Sequence, residues 1–168
     1  MTASVNEAIQ TPVRKSITVN TTPAEAFRIF TDDFDSWWPR SHHIGKSPMT
    51  KALIEARRGG RCYTEQEDGT ECDWGSVLAW EPPHRFVIAW QIAGNWEFEP
   101  NLDRSSEVEI RFTPEAGGKK TRVDLEHRFF DRMTSGAEAM RAGVDAEGGW
   151  GTLLRTFSER VDQVALRG

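Results

Sequence analysis

His42, His43 and His127 are the side chains best suited to proton transfer or ligation near neutral pH. In the stretch Thr121–Phe130, His127 alternates with Val123, Leu125 and Phe129 and is expected to face inward. There it could bond a ligand or move a proton. The plainer alternative is a buried histidine satisfied by a backbone carbonyl or a Trp N–H. His42 and His43 are adjacent, so their side chains diverge, and no E-x-x-H or H-x-H pattern adds a metal ligand. They are expected in a loop, at the rim of a pocket mouth. Cys62 and Cys72 have no metal-ligand spacing and no disulfide framework. Arg57-Arg58 reads as a solvated turn, with an anionic head group as the alternative partner. Asp32, Asp33 and Asp35 read as solvating charge. Arg61 and Glu65 are expected on the face of Tyr63, as a polar anchor if buried. No G-x-S-x-G elbow, P-loop or G-x-G-x-x-G is present, so neither a catalytic residue nor a metal nor a cofactor is assigned.

The aromatic residues say more. Seven tryptophans and nine phenylalanines accompany a single tyrosine. Rings of this size fill cores, but each indole also needs a partner for one N–H, which suits the wall of a ligand cavity. The expected wall comprises Tyr63, Trp74, Leu78, Trp90, Phe112, His127 and Phe129 from strands, faced by Trp150, Leu154 and Phe157 from a helix. Trp37 and Trp38, with His42 and His43, are placed at the rim.

These residues need elements to hold them. In the closing stretch from Ala146 to Leu166, Trp150, Leu153, Leu154, Phe157, Val161 and Val164 recur at helical spacing, which predicts a long amphipathic helix. Val13–Asn20 alternates as a half-buried strand. Thr22 caps a helix with Pro23 at its first position, and Asp32–Trp38 forms a second short helical turn stopped by Pro39. A long loop, Pro39 to Lys51, precedes strands at Ala52–Arg57, Arg61–Glu67, Glu71–Trp80 and Arg85–Ile92. Ala93–Ser105 reads as an irregular connection, followed by a hairpin of Glu107–Thr113 and Thr121–Phe130. A two-residue turn at Asp68-Gly69 sets Tyr63 opposite Trp74 and Cys62 opposite Gly75. A turn centred on Pro83 pairs Trp80 with Phe86, Leu78 with Ile88 and Ser76 with Trp90. One face then carries Tyr63, Trp74, Leu78, Trp80, Phe86, Ile88, Trp90 and Ile92, unless a bulge swaps faces.

The length predicts one domain over residues 13–168, after a flexible lead-in at 1–12 with no signal pattern. Net charge is −5 with both signs interspersed, which argues against nucleic acid as a partner. No apolar run is long enough for a membrane span, and a cytoplasmic protein is expected. Nothing in the sequence excludes a homodimer.

The order of strand, two short helices, antiparallel sheet and long C-terminal helix resembles the α+β helix-grip fold of the START/Bet v 1-like superfamily. That fold is a curved sheet of six or seven strands with the helix across its concave face. The runs Gly59-Gly60-Arg61-Cys62-Tyr63 and Gly75 to Trp90 with its double-proline turn are similar to the family named for the activator of Hsp90 ATPase. Phe30-Thr31, Trp37-Trp38-Pro39, Thr121 to His127 and Gly149-Trp150 add to the likeness. Ala146 departs from it, standing where many relatives carry histidine. The resemblance implies non-catalytic binding of a hydrophobic small molecule or lipid. Its alternatives are a chaperone-interaction module, or a cyclase- or hydrolase-like enzyme using His127 or Glu65.

Overall fold

The computed structural model describes residues 5–167. Seven antiparallel strands form one sheet in the order β1-β7-β6-β5-β4-β3-β2. They are β1 (Val13–Val19), β2 (Met49–Ile54), β3 (Arg61–Gln66), β4 (Glu71–Glu81), β5 (Arg85–Trp90), β6 (Ser106–Glu115) and β7 (Lys120–Arg128). The helices are α1 (Val5–Gln10), α2 (Pro23–Thr31), α3 (Phe34–Trp37), α4 (Ala137–Asp145) and α5 (Trp150–Arg167). This is the helix-grip arrangement, with α5 over the inner face of the sheet.

Local chemistry fixes the element ends. Thr22 Oγ1 accepts from the Glu25 N–H at the start of α2, with Pro23 in the first turn. Asp33 and Asp35 do more than solvate. Asp33 accepts from Arg160 of α5 at 3.1 Å, and Asp35 accepts from the Ala52 N–H at 2.9 Å, tying α3 to strand β2. The lead-in carries a helix, α1, whose neighbour Thr11 accepts from Arg141 of α4. Ile9 packs against the core, which explains its placement; residues 1–4 lie outside the described residues. The segment 131–145, which had no element assigned, holds α4, with Ala137, Met140 and Val144 buried.

Two bulges in β4 correct the expected faces. The β3–β4 turn has three residues, 67–69, with Gly69 at φ 85°, so Tyr63 pairs with Asp73 rather than Trp74. Trp74 is then the extra residue, and beyond it Cys62 pairs with Gly75 as expected. The bulge turns Trp74 inward and leaves Tyr63 outward beneath the Arg61 guanidinium, 4.0 Å from its ring centroid. Cys62 and Cys72 are free thiols, and burial pushes both upward in pKa. Near the double-proline turn Trp80 pairs with Phe86 as expected. A second bulge at Leu78 then sets Val77 opposite Ile88 and Gly75 opposite Trp90. Val77 therefore takes the core position expected for Leu78, which is only half-buried.

The outer face carries interleaved charge. Glu109 is 5 % exposed and accepts from Arg85 at 2.6 Å and Arg111 at 3.0 Å, with Arg128 at 3.4 Å. Burial pushes its carboxyl upward in pKa, but these three guanidinium groups outweigh burial and hold it below the usual range. Arg61 and Glu65 also belong to this outer side of β3. Arg61 bonds Asp73 and Glu71, so it is no anchor for a buried guest.

Candidate functional site

The space between α5 and the sheet has a filled end and an open end, and the ring types divide accordingly. At the filled end Phe27, Phe30, Phe86, Phe112 and Phe157 interlock, with centroid separations such as 5.1 Å for Phe27–Phe112 and 4.9 Å for Phe30–Phe157. Trp37 belongs here, within 5.4 Å of Phe157, its N–H donating to the Ile29 carbonyl. Phenyl rings carry no polar atom, so they pack edge to face without further requirements.

At the open end four indoles form a closed cycle. Trp38 stacks on Trp74 at 5.9 Å with planes 5° apart, Trp74 meets Trp90 at 5.6 Å, Trp90 meets Trp150 at 5.4 Å, and Trp150 returns to Trp38 at 6.1 Å. Against this cycle lies a cavity of about 310 Å³, within the range of small-molecule sites. Ile92 and Leu153 extend its apolar wall, Val144 closes it from α4, and His42, His43 and Trp96 stand at its mouth.

The mouth is built from two straps. Trp38 donates its N–H to the His42 carbonyl at 2.7 Å. His42 Nε2 donates to the Gly148 carbonyl at 3.1 Å, which fixes Nδ1 as the acceptor for the Ser41 hydroxyl at 3.0 Å. The loop after α3 is thereby tied to the turn before α5. The second strap is a small hairpin in the stretch expected to be irregular: Ile92 bridges Phe98, and Ala93 exchanges backbone bonds with Glu97 and Trp96. Its tip, Trp96, has left-handed backbone at φ 64° and is 51 % exposed. Gly94 is what lets this strap approach α4: a Cβ there would lie 2.6 Å from Gly136 Cα.

His127 stands behind the wall and does not line it. Its ring is fully buried, 5.2 Å from Trp90 and 4.5 Å from Phe130. The Trp150 N–H donates to Nδ1 at 3.0 Å, so the ring proton sits on Nε2 and is donated to Ser106 Oγ at 2.8 Å. Burial lowers its pKa to about 3, so the ring is neutral and fixes the Trp150 indole.

Two residues that line the cavity each hold a polar atom shut off from solvent and without a partner. Trp90 is 6 % exposed and its Nε1 has no partner; His43 Nδ1 is likewise enclosed and unpartnered. Each unmade bond costs about 1–3 kcal/mol.

Of the residues expected at the wall, the structure therefore brings Trp74, Trp90 and Trp150 to the cavity, and of the rim set Trp38, His42 and His43. Tyr63 and Leu78 leave through the bulges. Phe112, Leu154 and Phe157 are core, Trp37 is core and not rim, and His127 lies one layer back. Phe129 is turned outward because its own backbone is left-handed, φ 65°, which sends Phe130 inward instead. Its ring lies under Arg132, 4.1 Å from the guanidinium. Sequence reading missed Trp96, Val144 and Leu153 as wall residues. Leu153 was legible as one turn on from Trp150; Trp96 had no periodic signal around it.

Among the described residues, no group of three or more His, Cys, Asp or Glu could hold a metal ion, and no helix is long and apolar enough to cross a membrane.

Comparison with known proteins agrees with this architecture. Residues 20–162 match the family described as Activator of Hsp90 ATPase homolog 1-like protein. An anthrahydroquino-gamma-pyrone synthase, Txn09, is 37 % identical over 90 % of this chain and 97 % of its own, with a TM-score of 0.63. The self-sacrificing resistance protein CalC from Micromonospora echinospora is 31 % identical over 92 % of this chain and 96 % of its own, with a TM-score of 0.65. Protein NE0264 from Nitrosomonas europaea shares the fold at 16 % identity and TM-score 0.63, covering 92 % and 96 % of the two chains. Among curated proteins, none matches the chain.

Proposed function

The chain belongs to the Activator of Hsp90 ATPase homolog 1-like family, and from that premise we propose that it binds a planar, mostly apolar, multi-ring small molecule in the cavity at the open end of the α5–sheet gap. The carrying observation is the indole cycle of Trp38, Trp74, Trp90 and Trp150 beside about 310 Å³ of space. Flat aromatic surfaces gain most from stacking on such walls, and burial contributes about 25 cal/mol per Å² before ordering costs. The 37 % identical relative named for a fused-ring product supports the same ligand class.

Titration with anthraquinone, followed by tryptophan emission, is expected to saturate. Trp74→Ala should weaken binding about tenfold. No saturable response across two- to four-ring aromatic probes overturns the reading.

A catalytic version is favoured by one observation, that this relative is a synthase. It would rest on His43 rather than on His127, which is bonded at both nitrogens away from the cavity, or Glu65 on the outer face. Turnover of a bound ring substrate by the wild type and not by His43→Leu checks it.

A further inference from the structure

We infer that Gly143 and Trp96 together set the size of guest the cavity accepts, the gap between them giving a four-ring guest the room that a two-ring guest does not need; this rests on the pocket reading above and narrows it. Both residues line the cavity and both are exposed, Gly143 on α4 and Trp96 at the tip of the strap. A Cβ built on Gly143 would lie 3.8 Å from Trp96 Cζ2, in ordinary van der Waals contact. Apart from its chain neighbours and the backbone of its own helix, it would meet no other atom within 4 Å. The side on which Gly143 lacks a side chain is therefore the side toward Trp96.

Nothing in the backbone calls for glycine at this position. Its neighbours around the mouth are accounted for: Gly148 has left-handed backbone at φ 88°, and a Cβ on Gly94 or Gly149 would run into the backbone of Gly136 or Val144. Gly143 has neither a left-handed backbone nor such a close approach, and inside a helix glycine is the poorest former after proline. What its bare Cα supplies is room at the mouth. The opposite edge is held in place. Glu99 donates its N–H to the Gln91 carbonyl and Ala93 donates to the Glu97 carbonyl, so the strap bearing Trp96 is closed on itself, and Gly94 seats it against Gly136. A side chain larger than alanine at Gly143 must therefore take its volume from the gap, by crowding the indole or by reaching over the cavity.

The test compares naphthalene with pyrene, two fused-ring hydrocarbons that differ in size and carry no polar atom. Binding is read by tryptophan emission for the wild type, Gly143→Ala, Gly143→Leu, Trp96→Ala and the double variant Gly143→Leu/Trp96→Ala. The wild type should bind both probes. Gly143→Leu should weaken pyrene at least about tenfold and naphthalene no more than about twofold. Gly143→Ala, whose methyl group meets the indole at contact distance, should keep both affinities within about twofold and melt no lower than the wild type. Against Trp96→Ala, the same leucine should cost pyrene no more than about threefold, because it can occupy the place of the indole. Because each variant is compared on two probes, a loss of stability shared by both does not mimic the result. Equal weakening of both probes by Gly143→Leu, or weakening of neither, overturns this inference and leaves the aromatic pocket standing, as does a wild type that binds naphthalene and excludes pyrene. A loss of pyrene that persists in full against Trp96→Ala also overturns it, by placing the size limit elsewhere. Binding of neither probe by the wild type removes the pocket reading and the inference with it.

Discussion

His127 joins strand β7 to helix α5 through one imidazole, and its proton inventory sets a pH dependence. Its folded pKa, about 3, lies below the ordinary 6.5, so the unfolded chain takes up the proton first. The stability it contributes is fully present above pH 6.5 and is lost as pH falls from there towards 3. Between pH 7 and pH 5 the wild type should lose about 2 kcal/mol from this group, read as a drop in the urea midpoint. His127→Leu should cost about 2–4 kcal/mol at pH 7, because the Trp150 N–H and Ser106 hydroxyl lose their partner, and should show a flatter profile between pH 7 and pH 5. An unchanged slope in the variant would mean that other groups supply the dependence. The inward position of this histidine was legible from its alternation with Val123 and Leu125. A buried, satisfied ring was the plainer reading of it, but nothing in a strand pattern says which indole a distant helix will bring.

At the scale of elements, β4 shows what alternation can and cannot reveal. Two bulges in one strand, at Trp74 and Leu78, each shift the register by one residue, and between them they exchange Tyr63 and Leu78 for Cys62 and Val77 on the inner face. The turns that anchor the pairings were visible as Asp68-Gly69 and Pro82-Pro83. The bulges were not, since they are set by the demand to aim Trp74 at Trp38 and Trp90 across the sheet. Helix α4 was missed although Ala137, Met140 and Val144 stand at the i, i+3, i+7 spacing of one helix face; the stretch is short, with Gly143 inside and Gly136 before it, which weigh against a helix. The strap bearing Trp96 depends on α4 through the Gly94–Gly136 approach. Gly94→Ala should therefore cost about 1–3 kcal/mol by thermal or chemical melting and displace Trp96 from the cavity mouth. A variant that melts like the wild type would show that the strap can slide without loss.

Over the whole molecule, the division between a phenyl end and an indole end separates stability from binding. Phe157 is fully buried among Phe30 and Trp37, and Phe157→Ala should lower stability by about 3–5 kcal/mol while leaving the affinity of folded protein for an aromatic probe within about twofold. Trp74→Ala should do the reverse in emphasis, weakening the probe more than the fold. Similar losses of affinity in both variants would mean that the two ends behave as one core. The helix-grip architecture was legible from the order of elements and the amphipathic closing stretch, as was the concentration of rings beneath α5. Which rings leave room between them was not, because that depends on the bulges and on the straps that close the mouth.

The indole cycle has an optical consequence. Four chromophores at contact distance, two of them stacked with nearly parallel planes, share their excited states, so the folded protein should carry a signed exciton couplet in its circular dichroism. A guest that slips against Trp38 or Trp74 would perturb that couplet before any backbone moves, giving the site a built-in reporter that needs no label.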